Sequence, residues 1–193
     1  MKMDAFNTYM SNIPTDFFKS LCLKYGSAYT YKKGEYISKE GEIFPYWGYI
    51  ESGIIKYTCY NVTEKKEYNT GFSFAGEFKA DYPTCLYNIK SEISIQALTA
   101  CRIYICHSER LKEEFERSME SQYIARIAAE QMCFQTYSRY ADFYRLTPEE
   151  RYRQLIKRSP GLLQLVSIKE VSSYLRITPT HMSRIRKMVS FDK

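Results

Sequence analysis

From Ala28 to Cys106 the apolar and aromatic residues fall in short runs, each closed by a turn signal: Lys33-Gly34, Glu40-Gly41, Ser52-Gly53 and Ala75-Gly76. Runs of this length between glycine turns predict strands over 36–39, 46–51, 54–61, 66–73, 92–97 and 102–106, and hence an antiparallel sandwich or barrel. Tyrosine and β-branched side chains suit the half-buried faces that such strands present. Outside this region the apolar period lengthens. Residues 4–25, with Phe6, Tyr9, Met10, Ile13, Phe17, Phe18 and Leu21, read as one or two short helices. Ser108, followed by Glu109, opens another, with a hydroxyl able to cap and an acid facing the positive end of the helix dipole. A longer helix is predicted from about 120 to 146, with Tyr123, Ile127, Phe134, Tyr137, Ala141 and Tyr144 along one side. At 1.5 Å per residue it runs to about 40 Å, too long for one small domain to cover. Its apolar side either pairs with a second copy of the chain or packs on the chain's own sandwich.

The last quarter carries two cap-plus-proline signals. Thr147-Pro148-Glu149-Glu150 starts a helix that runs toward Arg158 and is closed by Ser159-Pro160-Gly161. Thr178-Pro179 starts another. Beyond it Met182, Ile185 and Val189 share one side, while Thr180, Ser183, Arg184 and Lys187 share another. Just before it Ile168, Val171 and Leu175 repeat at the same period, and Arg176–Thr178 are left to make the turn. Two short helices with facing apolar stripes and a tight turn form a helix-turn-helix, whose second helix enters the major groove of DNA. The same pattern also fits an ordinary helical hairpin with a solvated basic face.

Charge separates the two. Residues 147–193 hold ten Lys or Arg against four Asp or Glu, leaving eighteen against eighteen in the rest, so the whole net charge of +6 sits in the last quarter. A basic module on a neutral body is the electrostatic footprint of nucleic-acid binding. Composition is otherwise that of an ordinary soluble domain, 45% hydrophobic and 26% charged. No apolar run is long enough to span a membrane, and Met-Lys-Met-Asp-Ala-Phe-Asn lacks the apolar core of a secretion signal, so a cytoplasmic protein without a membrane partner is expected. Six cysteines with no C-x-x-C pair suggest neither a metal nor a cluster and read as buried thiols in a reducing compartment. No cofactor is expected.

A Gly-punctuated roll (Lys33-Gly34-Glu35, Glu40-Gly41-Glu42, Tyr49-Ile50-Glu51-Ser52-Gly53), then Phe74-Ala75-Gly76-Glu77-Phe78 and Ala97-Leu98-Thr99-Ala100-Cys101, then a long helix and the stretch from Thr178 to Arg186, resemble in that order the cyclic-AMP receptor protein and fumarate-nitrate regulator (Crp/Fnr) family of bacterial transcription regulators. The likeness spans essentially the whole chain. It implies an α+β fold: an N-terminal double-stranded β-helix (a jelly roll of the cyclic-nucleotide-binding type) over 1–118, a long dimerisation helix over 119–146 and a helix-turn-helix domain over 147–193. It implies a homodimer on double-stranded DNA, with RNA polymerase as a further partner and a small-molecule effector of unknown identity. By the same likeness Ser183 and Arg184 match the Ser-Arg pair that reads bases in the fumarate-nitrate branch. Arg184 can bond guanine O6 and N7 together. Thr178 and Thr180 join the DNA-facing set, Thr180 standing where many members carry a base-reading Glu. Lys187 and Arg186 are assigned to phosphates.

The likeness also has gaps. Gly76-Glu77 matches the Gly-Glu that meets the ribose in cyclic-nucleotide binders, but Ser91-Glu92 stands where those proteins carry Arg-Ser for the cyclic phosphate. A carboxylate there repels a phosphate, so neither cyclic AMP nor cyclic GMP is expected; Lys79 and Lys90 are left as candidates for another anion. The cysteine pattern does not fit the family's iron–sulfur sensors, and His107 and His181 make poor haem ligands. Only four residues follow Val189, so the expected form is short and lacks the wing that usually follows the recognition helix. Arg176 falls at a turn position commonly held by Gly. Two other functions stay open on residues alone. A cupin-type enzyme would need several histidines on the roll, which has only His107, so no enzyme is expected. A binding module with a basic tail and no DNA contact is the other.

Overall fold

The computed structural model describes residues 6–191. The first two positions of the helical segment expected from residue 4, and the outermost residues of the spans 1–118 and 147–193, lie outside them. Contacts gather the chain into two compact units: residues 12–131 form one, and residues 132–191 together with residues 6–11 form the other. That grouping divides the long helix in its middle. The spans expected from sequence divide the chain at the ends of that helix.

The first unit is a roll of two four-stranded antiparallel sheets. β1 (Ser27–Tyr31), β8 (Cys101–His107), β3 (Tyr46–Ser52) and β6 (Phe78–Lys79) make one, in the order β1-β8-β3-β6. β2 (Tyr36–Ser38), β7 (Ser94–Ala97), β4 (Ile54–Asn61) and β5 (Lys66–Phe74) make the other, in the order β2-β7-β4-β5. All six predicted strands are present. β1 is an additional edge strand with four of its five residues exposed, so it shows no inward-outward alternation to read. β6, also additional, is two residues long. Between the sheets lie Ile37, Ile50, Ile55, Ile95, Ala97, Ile103 and Ile105. The other face of the β3–β8 pair carries Trp47 and Cys106 and is covered by α1 (Thr15–Tyr25) through Phe18, Leu21 and Cys22. Gly53 closes the β3–β4 turn at φ +94°, where a Cβ would come within 2.4 Å of the Ala100 carbonyl oxygen.

α2 (Thr84–Tyr87) leads toward β7, and α3 (Ser108–Glu116) follows β8. The cap of α3 is not Ser108. His107 accepts from the Glu109 N–H through Nδ1 at 3.2 Å, and Ser108 is buried with its hydroxyl donating to the Cys85 carbonyl at 2.6 Å. His107 therefore has a structural task. α4 (Met119–Arg145) is the predicted long helix. The cysteines are all free: Cys22, Cys85, Cys101 and Cys106 are buried as expected, Cys59 is half-buried, and Cys133 on α4 is exposed.

In the second unit α5 (Pro148–Arg158) opens on a complete capping box. The Thr147 hydroxyl accepts from the Glu150 N–H, and the Glu150 carboxylate accepts from the Thr147 N–H at 2.8 Å, which holds that carboxyl below its usual range. A one-turn helix, α6 (Leu162–Leu165), precedes α7 (Ile168–Tyr174) and α8 (Pro179–Phe191). Leu155, Leu162, Val166, Val171, Leu175, Met182 and Ile185 are all at most 3% exposed and are among the buried apolar residues of this bundle.

Candidate nucleic-acid interface

α7 and α8 are the two helices of the helix-turn-helix, and their geometry follows from short-range chemistry. The Ser167 hydroxyl accepts from the Glu170 N–H and starts α7. After Leu175 the chain reverses through Arg176, which has φ +58°, the left-handed conformation that Gly would adopt without strain. Arg176 and Ile177 donate backbone N–H bonds to the carbonyls of Ser173 and Ser172, which closes the end of α7. The Thr178 hydroxyl then accepts from the His181 N–H at 3.1 Å and caps α8. Met182 and Ile185 are buried beneath α8, Val189 is half-buried, and Thr180, His181, Ser183, Arg184 and Lys187 stand exposed. Arg186 is half-buried and has partners of its own. The Ser183 hydroxyl donates to the Pro179 carbonyl at 3.0 Å, so toward a ligand it offers lone pairs in place of its proton.

One contributor is invisible in the motif. Arg151 on α5 donates through Nη1 to the Leu146 carbonyl at 2.8 Å and through Nη2 to the Leu175 carbonyl at 3.2 Å, with its guanidinium 4.7 Å from the Phe143 ring centre. One side chain thus closes the C-terminal ends of α4 and α7 together. Burial pulls its pKa down, although the nearby Asp142 carboxylate opposes that shift. Nothing in the spacing of residues 147–158 marks Arg151 for this task, because both acceptors are backbone carbonyls supplied by other helices.

In the roll, four of the six residues considered for an effector are engaged otherwise. Gly76, at φ +90°, and Glu77 form a turn that closes on itself: the Glu77 carboxylate accepts from the Phe74 N–H at 3.0 Å, and Gly76 and Glu77 exchange backbone bonds with Ile50. The Ser91 hydroxyl donates its one proton to the Asp81 carboxylate and accepts from the Ile93 N–H at 3.3 Å. Lys79 does not suit a surface anion: it is 0% exposed, its Nζ donates to the Tyr46 carbonyl at 3.1 Å, and it sits 4.2 Å over the Phe44 ring. Burial lowers its pKa to about 7. Lys90 and Glu92 remain exposed at the two sides of Ser91. Among the described residues no three His, Cys, Asp or Glu side chains are grouped to hold a metal ion, and no helix is long and apolar enough to cross a membrane.

No protein-family model matches the chain, and no curated protein matches it in sequence. Solved structures do. FixK2 from Bradyrhizobium japonicum superposes with a TM-score of 0.70 at 13% identity, over 86% of this chain and 85% of that one. The c-di-GMP-responsive global regulator CLP from Xanthomonas campestris gives 0.68 at 16% identity over 92% of both chains. A transcriptional regulator of the Crp/Fnr family from Eubacterium rectale gives 0.67 at 13% identity, over 94% and 88%. The chain has the fold of the Crp/Fnr regulators: an α+β chain in which a cyclic-nucleotide-binding-type roll precedes a long helix and a C-terminal helical domain.

Proposed function

We propose that the protein is a homodimeric, sequence-specific DNA-binding regulator of transcription belonging to the Crp/Fnr family, without catalytic activity, whose roll does not take cyclic AMP or cyclic GMP. The observation that carries this reading is α8: its apolar side is buried on Met182 and Ile185, while Thr180, Ser183, Arg184 and Lys187 are held out together by a helix whose first turn is capped by Thr178. In this reading Arg184 reads a base, Ser183 accepts and Thr180 accepts or donates nearby, Thr178 faces the DNA at the start of α8, and Lys187 and Arg186 hold phosphates, with Arg186 limited by its half-burial.

A second copy would cover α4. Tyr123, Phe134, Tyr137 and Tyr144 are 58%, 69%, 67% and 77% exposed, a far larger aromatic surface than one helix leaves to water without a partner. Twofold pairing through this side would present two copies of α8 to one face of a duplex. Against a cyclic nucleotide stand the bonds just described: Ser91 is committed to Asp81, Glu92 adds a negative charge beside it, and Lys79 is enclosed.

Genome-wide capture of bound DNA followed by footprinting tests the whole reading. The expected result is a near-palindromic site with half-sites roughly one helical turn (~10 bp) apart, and a solution mass of two chains. Absence of any enriched duplex at low salt, or a monomer in solution, would defeat it. The other reading is an interaction module whose basic tail meets an acidic protein. It predicts no log-linear weakening of duplex binding as salt rises.

A further inference from the structure

Phe6 lies at the start of the described chain, yet it is a core residue of the helical unit. Its side chain is 1% exposed. The Arg139 guanidinium, on α4, sits 4.6 Å from its ring centre, the Arg158 guanidinium, on α5, sits 5.6 Å away, and Tyr174, on α7, meets the ring edge-on at 5.4 Å. The backbone is held as well. Arg139 donates to the Phe6 carbonyl, and Gln135 Oε1 accepts from the Thr8 hydroxyl at 3.1 Å and the Tyr9 N–H at 3.4 Å while its Nε2 donates to Asn7. A single 3₁₀ turn over Thr8–Ser11 completes the segment, and the next residue, Asn12, belongs to the roll unit.

One aromatic ring is therefore the shared neighbour of α4, α5 and α7. Its electron-rich π-system offsets two guanidinium charges that would otherwise repel across the gap between α4 and α5, and its T-shaped contact with Tyr174 ties it to the first helix of the helix-turn-helix. We propose that Phe6 is a positioning residue for the α7–α8 pair, and that residues 6–11 are a strap whose docking sets the orientation of the DNA-reading helix. This rests on the DNA-binding reading above for its consequence, but not for its geometry. Phe6 acts through Tyr174 and Arg158, neither of which is assigned to DNA.

The test compares the full-length wild type with Phe6→Ala and Phe6→Leu by hydrogen exchange and by binding to the captured DNA site across a salt series. In Phe6→Ala, amides of α5 and α7 should exchange at least tenfold faster while those of β3 and β8 do not change. DNA affinity should fall at least tenfold with an unchanged salt slope, because no phosphate contact is lost. Phe6→Leu, which keeps apolar volume but not the ring faces, should recover part of both. Unchanged exchange in α5 and α7 overturns the proposal. So does a shallower salt slope, which would place the segment on DNA directly. Should Phe6→Ala fail to fold, Phe6→Leu and Arg158→Gln carry the test: exchange must rise several-fold and only in α5 and α7, and no rise overturns it. If the wild type binds no duplex, the regulatory reading falls, while the exchange result still decides whether the strap positions α7.

Discussion

The polar residues around Gly76 and Ser91 in the roll and those on the outer side of α8 are placed in opposite ways. In the roll, Glu77, Lys79 and Ser91 are each at most 9% exposed and spend their polar atoms on the chain itself: on the Phe74 N–H, the Tyr46 carbonyl and the Asp81 carboxylate. On α8, Thr180, Arg184 and Lys187 lie in water above an apolar layer that needs nothing from them. Polar groups that a fold has used to satisfy itself are not available to a ligand, since breaking a buried hydrogen bond leaves the full desolvation penalty behind. Exposed polar groups on a rigid, capped helix carry no such debt. The comparison therefore assigns Glu77, Lys79 and Ser91 to stability and leaves Thr180, Arg184 and Lys187 accessible, as the DNA-binding reading proposed above requires.

The sharpest way to break that division is through Lys79. Its ammonium ionises at about 7 in the folded chain against ~10.4 unfolded, so between those values the unfolded state binds more protons and stability rises with pH. Below about pH 7 both states are protonated and the full penalty of the buried charge persists. Urea unfolding of the wild type at pH 7 and near pH 10 should show this component as a gain of a few kcal/mol, order ~3, that Lys79→Met removes. Cys22 and Cys85, pushed by burial up to about 12 and about 11, tilt stability the other way above ~8.5, so the difference between wild type and Lys79→Met is the quantity to read. Duplex affinity measured alongside should not move.

Arg184→Ala should do the reverse. Binding at the captured site should weaken by about 1–3 kcal/mol and blur at one base position, while the unfolding free energy stays within ~0.5 kcal/mol of wild type, because the side chain is exposed. Loss of stability instead of affinity would erase the comparison.

Arg176→Gly refines it. The left-handed backbone at φ +58° disfavours any side chain with a Cβ, and the substitution should stabilise the chain by about 1 kcal/mol in thermal or urea unfolding. An affinity unchanged by that variant would show that the turn's side chain serves neither purpose. The smallest effect is expected from Lys187→Ala: near-uniform weakening across sequences, seen as a salt slope reduced by about 1.

Short-range signals survived the passage from sequence to structure. Thr147 with Glu150, Thr178 with Pro179 and Gly53 at its turn act within a few residues of themselves, so their consequences are written locally. Ser108 shows where that logic stops. It has the side chain of a cap, but the Cys85 carbonyl, more than twenty residues away, takes its proton, and His107 caps α3. β1 and β6 went unseen for a related reason, since an edge strand and a two-residue strand are defined by partners and not by pattern.

By itself, then, the chain's order of residues determined the roll, the long helix and the exposed cationic side of α8, because alternation, helical period and capping are properties of neighbours in sequence. Tertiary structure alone decided that Lys79 lies inside, that Arg151 ties the ends of α4 and α7 together, and that Phe6 joins helices more than a hundred residues downstream. Each of those depends on backbone carbonyls and ring faces brought close by folding, and a one-dimensional pattern holds no record of which distant group will arrive beside a side chain.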